Sequence, residues 1–180
     1  MQNEHSDLVI MGGISDDLIE KLIREIQKDR YQRNIPLRLF INSPGGSIPL
    51  ALSISRLLLN LFDYIETYNL ATVDSSAICL YLTGNKRCCF PNSRFFLHPP
   101  SISLNDHLTQ NQLQENITLI RSDTKSMLNF YHERTHIETS TLESWFNHTI
   151  AFSGIESIKQ NISTDICADI SDFSPCYINS

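Results

Sequence analysis

Basic residues are scarce in this chain of 180 residues: 14 Lys and Arg stand against 20 Asp and Glu, a formal net charge of -6. That balance argues against a broad phosphate-binding surface, so nucleic acid is not an expected partner. Long apolar runs are missing as well. The longest, Ile48 to Phe62, is too short to span a bilayer and is broken by Arg56, so no membrane is expected. The five cysteines (Cys79, Cys88, Cys89, Cys167 and Cys176) contain no C-x-x-C pair, and an odd count without paired spacing fits reduced thiols. The opening MQNEHSDLVI is polar where a secretory leader would be basic and then apolar. A cytoplasmic location is the expectation, and the sequons at Asn116, Asn147 and Asn161 carry no information there. No repeat or low-complexity linker divides the chain. At 41% apolar and 19% charged, residues 1–180 suit one globular domain with one core.

The apolar pattern that is present alternates between two periods. Leu8 to Met11 reads as a short strand ended by Gly12-Gly13, and Ser15 caps a helix with Leu18, Ile19, Leu22, Ile23 and Ile26 on one face. Leu37 to Ile41 and Ile65 to Leu70 read as further strands. Between them lies a helix expected to turn Leu50, Ile54, Leu57, Leu58 and Leu61 inward. DSSAICLYLTG reads as a short, nearly all-apolar helix ending at Gly84, and Arg94 to Leu97 as a strand ending at His98. Strands alternating with helices imply right-handed βαβ units and a largely parallel sheet, an α/β fold. From about 108 to 136 the character changes. Leu113, Ile117, Ile120, Met127 and Tyr131 form a thin apolar stripe on a long polar helix, read as an arm that packs against a partner. Ser140 then caps a last helix carrying Leu142 and Trp145, and residues 165–180 form a tail.

The stretch SPGGS, Ser43 to Ser47, raises a chemical question. A turn needs one glycine, and a helix start needs only a capping side chain. Gly45 and Gly46 together strip side chains from the strand-to-helix junction, so something must approach the backbone there. Such a junction leaves unpaired N–H groups aimed at one spot, and Ser75-Ser76 does the same at the next helix start. Two such nests facing each other would hold a developing oxyanion. A serine in one nest and a histidine at a strand end would supply a nucleophile and its base. A tight turn, a helix cap and a surface His98 account for the same residues equally well.

INSPGGSI before an apolar helix, a serine opening a buried helix, and PNSRFFLHPP together resemble the proteolytic subunit family of Clp proteases. The similarity runs from about Leu8 to about Ile162 and is tightest over Ile41–Ser47 and Pro91–Pro99. It implies the spiral of βαβ units that this family shares with the crotonase superfamily, with a protruding arm or handle helix. Carried over by position, His98 matches the base. Ser75 matches the nucleophile when Gly84 is aligned with the glycine that closes this helix in the family; Ser76 is the alternative, one step away. The oxyanion donors would be the N–H groups of Gly46 and Ser76, so the Ser76 side chain is expected to matter little.

Two departures stand out. Asp74 occupies a position usually small, and a carboxylate there opposes an oxyanion unless it turns away. The family's orienting aspartate is replaced by Thr149, whose hydroxyl cannot stabilise imidazolium as a carboxylate does; Asn147 or His148 would substitute if the segment bends differently. HERTH, His132 to His136, also fits the H-E-x-x-H zinc pattern, with Glu156 a tolerable third ligand. Arg134 inside the motif and a helix ending at His136 favour a plain solvated helix end, so no metal or cofactor is expected. The cysteines at 79, 88 and 89 read as buried small hydrophobes, and Trp145 and Phe95-Phe96 as core or interface residues.

The expectation is a serine endopeptidase acting on unfolded polypeptides or peptides through Ser75 and His98, with Thr149 as third member. By resemblance it would work inside rings of seven subunits, stacked in pairs through the arm helix, with an AAA+ unfoldase as a possible partner. The alternatives are a catalytically impaired assembly subunit, supported by Thr149 and Asp74, and a crotonase-type acyl-CoA enzyme, which the Ser75/His98 pair disfavours.

Overall fold

The computed structural model describes residues 5–102, 107–170 and 175–179. In chain order the first half comprises β1 (Ser6–Met11), α1 (Asp16–Ile26), β2 (Leu37–Ser43), α2 (Ile48–Leu61), β3 (Ile65–Asp74) and α3 (Ala77–Tyr81). The second half comprises β4 (Lys86–Cys89), β5 (Arg94–Leu97), α4 (Gln110–Thr135), α5 (Thr139–His148), β6 (Ile150–Ser153), α6 (Gly154–Lys159), β7 (Asp165–Ile166) and β8 (Pro175–Asn179).

Among the described residues the sheet runs β6-β5-β3-β2-β1-β8, with β4 branching from β3 and β7 pairing with β4. Every pairing is parallel except β5 with β6, so the α/β expectation holds. β3 extends four residues beyond the expected Leu70 because it serves two neighbours. Glu66–Asn69 pair with β4, and Thr72–Asp74 pair with β5. That split carries Asp74 to the start of α3 and sets His98 just past the end of β5. β4, β6, α6, β7 and β8 were not expected from the sequence; the last two place ladder strands inside the segment read as a tail.

Ser15 caps α1 as expected, accepting from the Leu18 N–H at 3.3 Å, with Asp16 and Asp17 in the first turn. Fully burying Leu18 and Leu22 of its apolar face contributes about 2 kcal/mol for each side chain. α2 departs from the expectation. Ile48, Ala51, Leu52, Ile54, Ser55 and Leu58 face the core, while Leu57 and Leu61 are 36% and 40% exposed. The buried face follows the i, i+3/i+4, i+7 rows through Ser55, and this rotation carries Leu57 and Leu61 to the rim. The helix expected to be capped by Ser140 has Glu138 at its cap position and starts at Thr139, and the Glu138 side chain makes no cap bond.

α4 is an arm only over its first half. Leu113 and Ile117 are exposed, whereas Met127, Leu128, Phe130 and Tyr131 are buried against the core. This rooted half reaches α3, and with it the candidate site.

Candidate active site

The glycine pair is explained by what lies on either side of it. Gly45 has φ +90°, and a Cβ there would sit 2.7 Å from both the Asp74 carbonyl oxygen and Ser75 Cβ. Gly46 has φ +151°, and its Cβ would collide with the backbone of Ile14. The Ile14 N–H donates to Gly45 O at 2.8 Å, and the Ser47 N–H donates to Ile14 O at 3.0 Å. The N–H and C=O of a trans peptide point in opposite directions. The bond to Gly45 O therefore aims the Gly46 N–H away from Ile14, and it has no hydrogen-bond partner among the described residues.

Ser75 sits at the corner between β3 and α3 with φ +54°, a left-handed conformation that is unusual for serine. Such a conformation costs on the order of 1 kcal/mol and persists only where its surroundings hold it. Here they do: its N–H donates to Phe96 O at 2.7 Å, and its carbonyl accepts from Tyr131 Oη and from the Ile78 N–H, each at 3.1 Å. Its Oγ is left without a partner among the described residues, and Ser75 lines a cavity of about 280 Å³ with Gly45, Gly46 and His98. Ser76 is fully buried and does not line it. Its Oγ donates to Gly46 O at 3.0 Å, which corrects the expectation that only the backbone of Ser76 has a role. The Ser76 N–H has no partner among the described residues.

Across the cavity, His98 is half-buried, with Nδ1 2.9 Å from Pro99 O. A carbonyl only accepts, so Nδ1 carries the hydrogen of that bond, and in the neutral ring this leaves the lone pair on Nε2. Ser75 and His98 share the cavity without a hydrogen bond between them, a separation common in sites awaiting substrate. Asp74 does turn away. Its buried carboxylate is held by Arg94, with Nη2 to Oδ2 at 2.5 Å and Nε to Oδ1 at 3.4 Å, and this pairing raises the Arg94 pKa.

The third member is not assembled. Thr149 is exposed, ends α5 at φ 48°, and makes no hydrogen bond to His98 among the described residues. The antiparallel register ends at Leu97↔Ile150, so His98 and Thr149 are the first residues past the same end of the β5–β6 ladder. Asn147 lines a different cavity, and His148 holds Ser144 O through Nδ1 at 2.9 Å. That other cavity, about 460 Å³ between α4 and α5, is larger but is lined by neither a serine nor a histidine.

HERTH has other duties. His132 Nδ1 lies 2.7 Å from Ile137 O, Arg134 donates to the α3 end at Leu82 O, and Glu156 is engaged in the capping box of α6. Among the described residues no three His, Cys, Asp or Glu side chains cluster as metal ligands. Cys79 and Cys88 are buried, and burial pushes both thiols up to about 12, where they stay protonated. The Cys176 side chain lies outside the described residues.

A model of the Clp protease family matches residues 2–168. The chain belongs to the Clp protease family. An ATP-dependent Clp protease proteolytic subunit of Paracoccus denitrificans is 25% identical over 122 residues, covering 66% of this chain and 61% of that protein. Proteolytic subunit 3 of Rhizobium meliloti (strain 1021) is 31% identical over 96 residues, 52% of this chain and 49% of that one. The chain thus spans between about half and six tenths of the length of these curated relatives. A mutant ClpP1 from Listeria monocytogenes superposes with a TM-score of 0.80, covering 93% of this chain and 94% of that one, at 19% identity. At that identity the likeness establishes the fold. Among the described residues no helix is long and apolar enough to cross a membrane.

Proposed function

We propose that this Clp protease family member is a serine endopeptidase in which Ser75 attacks and His98 accepts its proton. The observation that carries the reading is the strained Ser75 corner facing His98 across one cavity, beside two unsatisfied N–H groups at Gly46 and Ser76. Ser75 Oγ adds to the scissile carbonyl as its proton moves to His98 Nε2, and the Gly46 and Ser76 amides receive the oxyanion. His98 then protonates the leaving amine and activates the water that clears the acyl-enzyme. Between Ser75 and Ser76, the choice falls on Ser75, because the Ser76 hydroxyl is buried and spent on Gly46 O.

The Pro99 carbonyl holds His98 in the useful tautomer but is a neutral dipole, so turnover is slow compared with a full triad. Substrates are unfolded polypeptides or peptides, added as an extended strand along the segment after Gly46. The exposed Leu113 and Ile117 on the arm support self-association, into rings paired through this helix as the family resemblance implies. The relatives are named ATP-dependent, which supports an ATP-driven partner; that it is an AAA+ unfoldase is what the family resemblance implies. Turnover of a fluorogenic peptide library that is lost in both Ser75→Ala and His98→Ala is the expected result; turnover surviving Ser75→Ala refutes the assignment. A second reading, a catalytically impaired assembly subunit, is favoured by the absence of any Thr149–His98 bond. It predicts ring assembly with no turnover in wild type.

A further inference from the structure

We propose that Tyr131 is a positioning residue for the second oxyanion donor, the Ser76 N–H, and so ties the root of the arm helix to the reaction; this rests on the peptidase reading above. The Ser75 carbonyl and the Ser76 N–H belong to one peptide plane and point in opposite directions. Whatever grips that carbonyl therefore aims that N–H. Tyr131 Oη donates to it at 3.1 Å from α4, 56 residues along the chain. The other donor, the Ile78 N–H, belongs to the α3 turn itself and moves with it. Tyr131 is the outside tie. A hydrogen bond accepted at the carbonyl also polarises the amide and strengthens donation from its N–H.

Tyr131 is well placed to hold still. It is 2% exposed, and its ring packs on Phe146 with centroids 5.7 Å apart. Burial raises its pKa far above the ordinary tyrosine value, which keeps the hydroxyl a donor. One turn further along α4, Arg134 donates to Leu82 O at 2.8 Å and Thr83 O at 3.2 Å. The same helix thus grips α3 at both ends, and Tyr131 takes the end that carries Ser75.

Tyr131→Phe removes the hydroxyl and keeps the ring. Losing an oxyanion donor outright lowers kcat by about 10² to 10³, so misaiming one is expected to lower kcat about tenfold. KM should stay within about twofold, because the ground-state carbonyl uses the hole less than the oxyanion does. Affinity for a peptide boronate, whose tetrahedral oxygen occupies the hole, should fall by the same factor as kcat. The Ser76 amide resonance should shift in uninhibited protein. Cys79→Ala is the control: this buried thiol interacts with the same hydroxyl, and its loss disturbs packing without releasing the Ser75 carbonyl. Equal kcat losses in both variants, an unchanged kcat in Tyr131→Phe, or an unmoved Ser76 amide would each overturn the proposal. Wild type that cleaves nothing, or cleavage that survives Ser75→Ala, defeats the peptidase reading itself and this inference with it.

Discussion

The two halves of the candidate site are held very differently. On the serine side, Ser75 is fixed through its N–H by Phe96 and through its carbonyl by Tyr131 and Ile78, while Ser76 ties the glycine strand to α3. On the histidine side, His98 is half-exposed before two prolines, and among the described residues its ring hydrogen-bonds only to the carbonyl of the next residue. One half resists distortion, and on the other no carboxylate among the described residues is paired with His98. On the peptidase reading proposed above, oxyanion stabilisation is well provided for and the base limits the rate.

Damage to the well-held half should cost most. Gly46→Ala drives a Cβ into the Ile14 backbone and displaces the first donor, so turnover should fall more than about 100-fold in peptide assays. Repairing the weak half should give the next largest effect, in the opposite direction. Thr149→Asp sets a carboxylate one register step past Leu97↔Ile150, and kcat should rise about 20-fold. That is less than the roughly 10⁴ tied to a triad aspartate, because Pro99 already fixes the tautomer. An unchanged kcat in the folded variant would show that the ladder does not continue to this pair.

Arg94→Gln releases the Asp74 carboxylate from the ion pair that holds it away from the proposed oxyanion hole, so kcat should fall about tenfold. Adding Asp74→Asn should restore most of it; a double variant as slow as the single one would assign Arg94 another role. Ser76→Ala should have the smallest effect, about threefold on kcat, since Gly46 O loses one bond while the Ile14 contacts persist. A hundredfold loss there would make Ser76, not Ser75, the attacking group.

What the sequence revealed was local. The Gly45-Gly46 pair and the serine and histidine are legible because each stands at the end of an element that the apolar pattern marks, although the atoms that crowd the glycines belong to Ile14 and to Asp74-Ser75, distant in sequence. The distant ties are not. Tyr131 to Ser75 spans 56 residues and Ser76 to Gly46 spans 30, and no periodicity encodes either contact. The Asp74–Arg94 pair spans 20, so Asp74 read as an unexplained charge until its partner was placed. The four-residue strands β4 and β6 escaped because so short a run carries little pattern, whereas β5, equally short, was marked by the PNSR turn before it and His98-Pro99-Pro100 after it. α2 misled because leucines surround it, and only packing decides which of them meet the core.

The most direct measurement is covalent labelling with a fluorophosphonate, read by intact mass and by mapping the modified peptide. A single adduct on Ser75, absent in Ser75→Ala and much slower in His98→Ala, is the predicted result. No adduct on the folded wild-type protein, or an adduct on another residue, would contradict the assignment of Ser75 as nucleophile.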